Sequence, residues 1–305
     1  MRPRVACIVF AHRAPKQLAL LLSSLRSAEI RHYLHVDARV DFNPFARVLD
    51  EQGLADLTLL DRRATRWGGI ELVDAALDGL ARAFRDGCDY FFLLSGQDLP
   101  LRSVNEILAF ADEARDRSYL SYWPLPTPRW RYEGRDRTDF YSYTVRGRRE
   151  TCIPRGEDTS SLSLKGRALN QALRVRTALQ PPRRHPDYAQ PFGGRQWWNL
   201  SRSAADYVLR FLEEHPDYRR YHEYTVCPDE LFFQSILAGT SFTDANHIVN
   251  DSLRFMRWPE GETHPRILTA ADVPAMLASG ALFARKFDAD LEPAALAELT
   301  QRVPA

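Results

Sequence analysis

Two aspartates each follow an apolar run that is typical of a β-strand, a position where a carboxylate can take part in ligand binding or catalysis. Asp37 follows the apolar run His32–Val36, and Asp98 follows the apolar run Tyr90–Leu94. An acid after a strand commonly caps a helix or a turn. At the carboxyl edge of a parallel sheet, however, it can also accept hydrogen bonds from the base, ribose or sugar of a bound nucleotide. The acids alone leave both interpretations open.

Glu230 lies in Pro228–Leu237, a predicted short helix with two acids in its first turn. One interpretation is that Asp229 and Glu230 complement the helix macrodipole. The other is that Glu230 acts as a general base at the rim of a pocket and removes the proton of an attacking hydroxyl.

Arg266 and Lys286 are candidates for stabilising a departing diphosphate, which needs fixed positive side chains or a divalent cation. Arginine is abundant in this chain, so Arg266 alone says little, but Lys286 is one of three lysines and has apolar neighbours. The acids of Asp288-Ala289-Asp290 have the spacing of a metal-binding motif. They follow the last predicted strand, so we interpret them as a solvated turn.

Aromatic and imidazole side chains lie near the same polar clusters. His12 follows the first apolar run, and Trp67, Trp197, Trp198 and Trp258 stand beside glycines or charged residues. Tryptophan faces can stack on the C–H faces of sugar rings, although each of these residues could also be part of the core. A saccharide site is therefore a hypothesis, strongest for Trp258.

The elements that must position these residues alternate between strands and helices. Leucines at helical spacing and continuous β-branched runs predict an α/β fold with a mixed, mostly parallel sheet, whose ligands bind beyond the carboxyl ends of the strands. The predicted strands are Val5–Phe10, His32–Val36, Leu57–Leu60 and Tyr90–Leu94, and the clearest helices are Pro15–Leu25 and Ile70–Phe84.

Periodicity is lost after residue 121 and returns at residue 193. We therefore predict a single domain over residues 1–305, with a nucleotide-binding half (1–121), an irregular insertion (122–192) and an acceptor and catalytic half (193–305). In the last part, Ser201 or Ser203 can cap a helix that runs to Glu214, and Ala270–Glu298 is predicted to be helical in pieces.

Composition excludes several classes of protein. With 41 basic and 40 acidic residues the net charge is +1, which lacks the basic excess of a nucleic-acid-binding protein. No GxGxxG follows the first strand, so a dinucleotide enzyme is set aside. The four scattered cysteines and the absence of a long apolar segment predict a cytoplasmic protein without a transmembrane segment, a pattern compatible with peripheral association at the inner face of a membrane.

Taken in order, the segments resemble the core-2/I-branching β-1,6-N-acetylglucosaminyltransferase family, glycosyltransferase family 14, which includes the peptide O-xylosyltransferases. The resemblance spans residues 5–290 and is most specific in three of its pieces. The pieces are VACIVFAHRAPKQLALLLSSL, YLHVDAR, TRWGGIELVDAAL, DYFFLLSGQDLPLRS, GGRQWWNLSRSAADYVL, CPDELFFQSIL, RWPEGETHPRIL and ALFARKFDAD, and the most specific are WGG, LLSGQDLPL and PDELFFQ.

The resemblance implies a GT-A-type fold and an inverting transfer of GlcNAc or xylose from a UDP-sugar to an acceptor hydroxyl, with no metal cofactor. It implies that Glu230 is the catalytic base, that Arg266 and Lys286 bind the diphosphate, and that Asp37 contacts the uridine. His12, Trp67 and Asp98 are expected on the donor side, and Trp198 and Trp258 on the acceptor side.

Family members from animals carry a membrane anchor, a stem and disulfides, and this chain shows none of these patterns. We therefore expect a bacterial-type enzyme that acts on a glycan, a polysaccharide precursor or a lipid-linked acceptor. Two alternatives stay open: a metal-dependent GT-A transferase with Asp98 as a metal ligand, and a non-catalytic carbohydrate-binding protein on the same fold.

Overall fold

The computed structural model describes residues 2–54, 57–245, 247–262 and 264–303. The strands are β1 (Val5–Ala11), β2 (Ile30–Val36), β3 (Thr58–Leu59), β4 (Tyr90–Ser95), β5 (Leu99–Pro100), β6 (Arg117–Pro124), β7 (Ser142–Val145), β8 (Arg148–Thr151), β9 (Phe192–Ser201), β10 (His247–Val249), β11 (Arg254–Phe255) and β12 (Phe283–Ala284). The helices are α1 (Pro15–Ser24), α2 (Asn43–Glu51), α3 (Glu71–Arg85), α4 (Val104–Glu113), α5 (Arg135–Thr138), α6 (Leu164–Thr177), α7 (Arg202–Glu214), α8 (Pro216–His222), α9 (Phe232–Ala238), α10 (Phe242–Ala245), α11 (Val273–Ala278) and α12 (Pro293–Arg302).

A twisted mixed sheet forms the centre of the molecule. In the part of the chain that the structure describes, its seven strands run in the order β10-β6-β9-β4-β1-β2-β3. Strands β1 to β4 pair in parallel where they are neighbours, β10 is parallel to β6, and β9 is antiparallel to both β4 and β6. The predicted fold class, a mostly parallel mixed sheet, is confirmed.

The sequence of strand β1 is a continuous apolar run because both faces of the strand are covered by helices. Side chains alternate across a strand, so Val5, Cys7 and Val9 enter the core on one face, while Ala6 and Ile8 enter the core on the other. Helices α1, α2, α4 and α12 cover the first face, and α3, α7 and α9 cover the second. All of β1 is buried, as expected for a strand with helices on both sides.

The segment 122–192, predicted to be irregular, contains regular structure. Strands β7 and β8 form a hairpin, and α6 begins after Ser163, whose hydroxyl accepts a hydrogen bond from the Gly166 amide. Helix α6 buries Asn170 and Leu173 and leaves its other side chains exposed or half-buried, so its apolar stripe is too narrow to be recognised by periodicity.

After residue 200 the predicted helix to Glu214 and the helical pieces of the tail are present, but Pro228–Leu237 is broken, and α8, α10 and the strands β10, β11 and β12 were not predicted. Ser201 caps α7 by accepting from the amide of Ala204. Pro228–Leu237 is not one helix: Pro228–Glu230 form a single 3-10 turn, Leu231 leaves the helical region at φ −133°, and α9 begins at Phe232. The break turns the short acidic segment away from α9, so Glu230 sits in a turn rather than in an α-helix.

Two observations bear on the predicted environment. All four cysteines, at positions 7, 88, 152 and 227, are buried free thiols. Among the described residues, the helices are all too short or too polar to cross a membrane.

Candidate active site

The carboxyl ends of β1, β2 and β4 open on a cavity of about 430 Å³. His12 follows β1, Asp37 follows β2 and Gln97 follows β4, and all three line this cavity. Parallel strands that end at the same edge bring the segments after them together, which is why residues far apart in sequence meet here. Of the nine predicted site residues, six line the cavity: His12, Asp37, Trp67, Glu230, Trp258 and Lys286.

Asp37 is nearly fully buried at the wall of the cavity. One of its oxygens accepts from the Thr65 hydroxyl at 2.6 Å and from Arg39 Nη2 at 2.7 Å, and the other accepts from the Arg39 amide at 2.8 Å. Burial raises its pKa, but the hydrogen bonds from Arg39 and Thr65 outweigh burial and bring the pKa to about 2. Asp37 is therefore an ionised acceptor at neutral pH.

Glu230 is half-buried, and its orientation is fixed by an arginine from the segment 122–192. Arg137 Nη2 donates to Glu230 Oε2 at 2.8 Å, and Arg137 Nη1 donates to Asp136 at 3.0 Å. The Arg137 guanidinium also stacks on the Trp130 ring, 3.9 Å from its centre. Sequence reasoning missed Arg137, because nothing in a single sequence links position 137 to position 230.

Asp229 lies beside Glu230 and also lines the cavity. Its Oδ1 atom is buried without a hydrogen-bond partner among the described residues. Burial, followed by repulsion from Glu230, raises the pKa of Asp229 to about 7. Below about pH 7, Asp229 therefore holds a proton that an ordinary aspartate would have lost.

This raised pKa makes stability depend on pH. Between about pH 4, the ordinary Asp range, and pH 7, the native state holds a proton that the unfolded state has released, so the free energy of unfolding falls as pH rises through this window. Asp229→Asn removes that slope. We expect its Tm to rise relative to wild type from pH 4 to pH 8, by at least about 2 °C, a shift of the size that about 1 kcal/mol produces.

Differential scanning fluorimetry of both proteins across this pH range measures the slope. The control is Asp116→Asn, because Asp116 is exposed and should follow the wild-type curve. If the plots of Tm against pH run parallel for wild type and Asp229→Asn, the native state does not retain the Asp229 proton in this pH range.

Lys286 and Arg285 bring positive charge to the cavity wall. Arg285 Nε lies 3.1 Å from one Asp98 oxygen, and the fully buried Arg254 lies 3.7 Å from the other. Arg254 also donates to the Leu93 carbonyl at 3.0 Å. Burial lowers the pKa of Lys286, and the neighbouring Arg285 and Arg13 lower it further.

Asp98 does not line the cavity, which corrects the expectation that it contacts the donor. Its side chain has no exposed surface and lies between two guanidinium groups, just before β5, the strand that pairs with β12 in the small sheet. Burial raises its pKa, and Arg285 and Arg254 oppose that effect. Its position indicates that it holds Arg285, the residue next to Lys286, rather than a ligand.

Trp198 is also placed differently from its prediction. It is fully buried and packs on Phe233 with ring centres 5.3 Å apart, so it belongs to the core. Its neighbour Trp197 lines the cavity, with the Arg285 guanidinium 4.1 Å above its ring. Both tryptophans are buried in the same hydrophobic cluster, and the register between β6 and β9 shifts beside them, so alternation along the strand did not predict which one lines the cavity.

Two exposed tryptophans stand at the cavity. Trp67 is 62% exposed and Trp258 is 47% exposed, which is unusual for tryptophan. Trp67 makes an edge contact with His264, another lining residue, with ring centres 6.0 Å apart. Exposed aromatic faces of this kind are available to stack on a sugar.

Arg266 does not line the cavity, although its neighbour Pro265 does. Its Nη2 donates to Asp272 at 2.7 Å and its Nη1 donates to the Ile267 carbonyl at 2.9 Å. Asp272 also accepts from the Thr269 amide and caps the 3-10 turn Ala270–Asp272. In this arrangement the Arg266 guanidinium stabilises the local loop, and its predicted contact with a diphosphate requires the side chain to leave Asp272.

The acid pair near the C-terminus is engaged with basic residues of the first helix region. Asp290 pairs with Lys16 at 2.7 Å, and Asp288 lies 3.8 Å from Arg13. Within the described residues, three or more His, Cys, Asp or Glu side chains nowhere converge in the manner of a metal site.

Comparisons with known proteins identify similar chains. A family model described as "Branch: Core-2/I-Branching enzyme" matches residues 5–277. Xylosyltransferase 1 of Rattus norvegicus is 25% identical over 265 residues, covering 84% of this chain and 28% of that protein. Xylosyltransferase 2 of Homo sapiens is 27% identical over 268 residues, covering 84% of this chain and 26% of that protein. The chain thus spans about a quarter of the length of these curated relatives.

Among solved structures, mannose-1-phosphate geranyltransferase from Thermus thermophilus aligns over 76% of this chain and 72% of that one, with a TM-score of 0.32 and 13% identity. A similarity of this size does not by itself establish a shared fold.

Proposed function

The chain belongs to the core-2/I-branching enzyme family, and from that premise we propose that it is an inverting glycosyltransferase that moves a sugar from a UDP-sugar to an acceptor hydroxyl. The observation that carries the proposal is one cavity that contains both Glu230 and Lys286, with Asp37 at the carboxyl end of β2. The α/β fold with its mainly parallel sheet is of the GT-A type, in which nucleotides bind at this edge.

In the proposed reaction the acceptor oxygen attacks C1 of the donor sugar as the bond from C1 to the diphosphate oxygen breaks. Glu230 takes the hydroxyl proton, and UDP leaves with the bonding electrons, so the configuration at C1 inverts. A carboxylate suits this step, because the hydroxyl becomes acidic only as its new bond forms. Arg137 holds the Glu230 carboxylate in one orientation through the 2.8 Å hydrogen bond.

Lys286 is proposed to stabilise the negative charge that develops on the departing diphosphate. Arg285 adds a second positive group at the same wall, anchored from behind by Asp98. Fixed charges in a partly desolvated site act strongly on developing charge, because they need no reorganisation during the reaction. Arg266 would add to this stabilisation if its side chain exchanged Asp272 for the diphosphate.

We propose that no metal cofactor takes part. The metal-dependent alternative uses Asp98 as a ligand, and Asp98 is buried between Arg254 and Arg285. Two guanidinium groups next to a carboxylate disfavour a divalent cation there through like-charge repulsion. In this proposal Lys286 and Arg285 supply the positive charge that a metal ion supplies in a metal-dependent transferase.

The donor sugar is proposed to be xylose or GlcNAc. The curated relatives are named xylosyltransferases, and the family name refers to branching enzymes. The exposed rings of Trp67 and Trp258 provide faces on which the donor sugar or the acceptor can stack. The acceptor is proposed to be a glycan or a lipid-linked glycan precursor.

A panel of UDP-sugars tests the function. We expect the purified protein to release UDP from UDP-xylose or UDP-GlcNAc, with water or an added oligosaccharide as acceptor, and to keep this activity in EDTA. Activity lost in EDTA and restored by Mn²⁺ would contradict the metal-independent mechanism. No UDP release from any donor, by a protein that still binds UDP in calorimetry, would favour a non-catalytic carbohydrate-binding protein.

A further inference from the structure

Arg195 differs from the other arginines that line the cavity. Arg39 pairs with Asp37, Arg66 pairs with Glu71 at 3.1 Å and Arg285 pairs with Asp98, and Arg13 lies 3.8 Å from Asp288. Arg195 is exposed, and none of the described carboxylates comes within 4 Å of its guanidinium.

The charges around Arg195 are mostly unfavourable to it. Burial of part of its side chain lowers its pKa, Asp251 opposes this effect from a distance, and Arg129 lowers the pKa further. Arg129 is itself exposed, and no described carboxylate forms a salt bridge with it. Two neighbouring arginines without a carboxylate in contact attract an anion.

Strand β9 connects these arginines to an aromatic surface. Gly193 pairs with Trp123 of β6, and Arg195 follows two residues later on β9, where the register between the two strands shifts. A Cβ atom at Gly193 would lie 2.4 Å from the Trp130 ring and 2.9 Å from Trp123 Nε1, which shows that both tryptophans rest against the strand at this point. The two tryptophans meet edge to face with ring centres 5.4 Å apart, and Arg129 lies over the Trp123 ring.

The same surface reaches the proposed catalytic base. Trp130 carries the Arg137 guanidinium on its face, and Arg137 donates to Glu230. A chain of contacts therefore runs from Glu230 through Arg137, Trp130 and Trp123 to Arg129. An acceptor whose hydroxyl reaches Glu230 would extend along it.

We propose that Arg129, which lies over the Trp123 ring, and Arg195 form an acceptor subsite for an acidic saccharide, whose carboxylate or phosphate binds the two arginines. Guanidinium groups bind carboxylate and phosphate through paired hydrogen bonds. This inference rests on the proposed function, because it assigns the acceptor of the same site.

Binding of defined oligosaccharides, measured by calorimetry in the presence of UDP, tests the subsite. The probes are a hexuronate-containing tetrasaccharide, the same tetrasaccharide with its carboxyl groups reduced to alcohols, and a phosphorylated oligosaccharide of equal length. We expect at least one acidic probe to bind about 10-fold more tightly than the neutral one, with a preference that decreases at high salt. Comparison of the two acidic probes distinguishes carboxylate from phosphate.

Arg195→Gln and Arg129→Gln should each remove most of this preference and leave affinity for the neutral probe unchanged. Arg167→Gln is the matched control, because Arg167 is exposed on α6 and lies outside the cavity. Equal affinity for acidic and neutral probes, or a preference that survives both substitutions, would overturn the subsite.

The outcome is separable from that of the proposed function. UDP release measured without any oligosaccharide reports on the transferase activity alone. Arginine-dependent binding of an acidic probe without UDP release would uphold the subsite and reject the enzyme. UDP release without a preference for acidic probes would uphold the proposed enzyme and reject the subsite.

Discussion

Glu230→Gln is expected to lower the rate of sugar transfer by about 10²–10⁴-fold, the range that a general base contributes. The amide keeps the shape of the side chain and can still accept a hydrogen bond from Arg137, but it cannot take the proton of the acceptor. Donor affinity should change little, because the base acts on the acceptor. The effect should therefore appear in kcat, with the KM for the UDP-sugar near its wild-type value.

The substitution leaves the surroundings of Glu230 largely satisfied. Arg137 keeps its 3.0 Å hydrogen bond to Asp136 and its stacking on Trp130, so the folded state retains a partner for the guanidinium. Glu223→Gln is the control: Glu223 also pairs with an arginine, Arg219, at 2.6 Å, and it lies outside the cavity. Transfer by Glu230→Gln at more than about a tenth of the wild-type rate would remove Glu230 as the base.

The sequence predicted the fold well where a physical pattern is local. A strand covered by helices on both faces must be apolar at every position, and the run Val5–Phe10 meets that requirement. The leucines of α1 and the apolar residues Val73, Ala76, Leu80 and Ala83 of α3 repeat at helical spacing, and both helices were confirmed within two residues of their predicted ends. Helix α6 has few buried positions, so the same method missed it.

Site prediction was more uneven, because placement at a strand end does not determine the direction of a side chain. Asp37 and Asp98 both follow apolar strands, yet Asp37 lines the cavity and Asp98 turns inward to Arg254 and Arg285. Neither arginine adjoins Asp98 in sequence, since they come from the segments at β11 and β12. Burial of Asp98 is a consequence of tertiary contacts that only the folded chain reveals.

Arg137 and the tryptophans beside it are also recognisable only in the folded chain. Arg137 lies in a segment without periodicity, where arginines are too frequent for any one of them to stand out. It becomes distinctive through two contacts, with Glu230 and with Trp130, the first of which joins parts of the chain 93 residues apart. The irregular segment thus supplies groups next to the proposed base.

Lys286→Ala is expected to lower kcat by about 10²–10³-fold, the loss that follows removal of one preorganised group from developing negative charge. The effect on donor affinity should be smaller, because the charge on the diphosphate increases as the bond to C1 breaks. Arg266→Ala should have a weaker effect, since the Arg266 guanidinium is bound to Asp272 outside the cavity. Lys165→Ala is the matched control, because Lys165 is exposed on α6.

The dependence of transferase activity on pH tests whether the positive charge of Lys286 is what stabilises the leaving group. Burial, Arg285 and Arg13 lower its pKa, so the ammonium loses its proton at a lower pH than an ordinary lysine does. Wild-type activity should therefore decline on the alkaline side as this proton is lost. Lys286→Arg keeps a positive charge well above that pH, so the decline should shift upward even if the maximal rate is lower. An unshifted alkaline limb in Lys286→Arg, or a wild-type rate in Lys286→Ala, would assign leaving-group stabilisation to Arg285 instead.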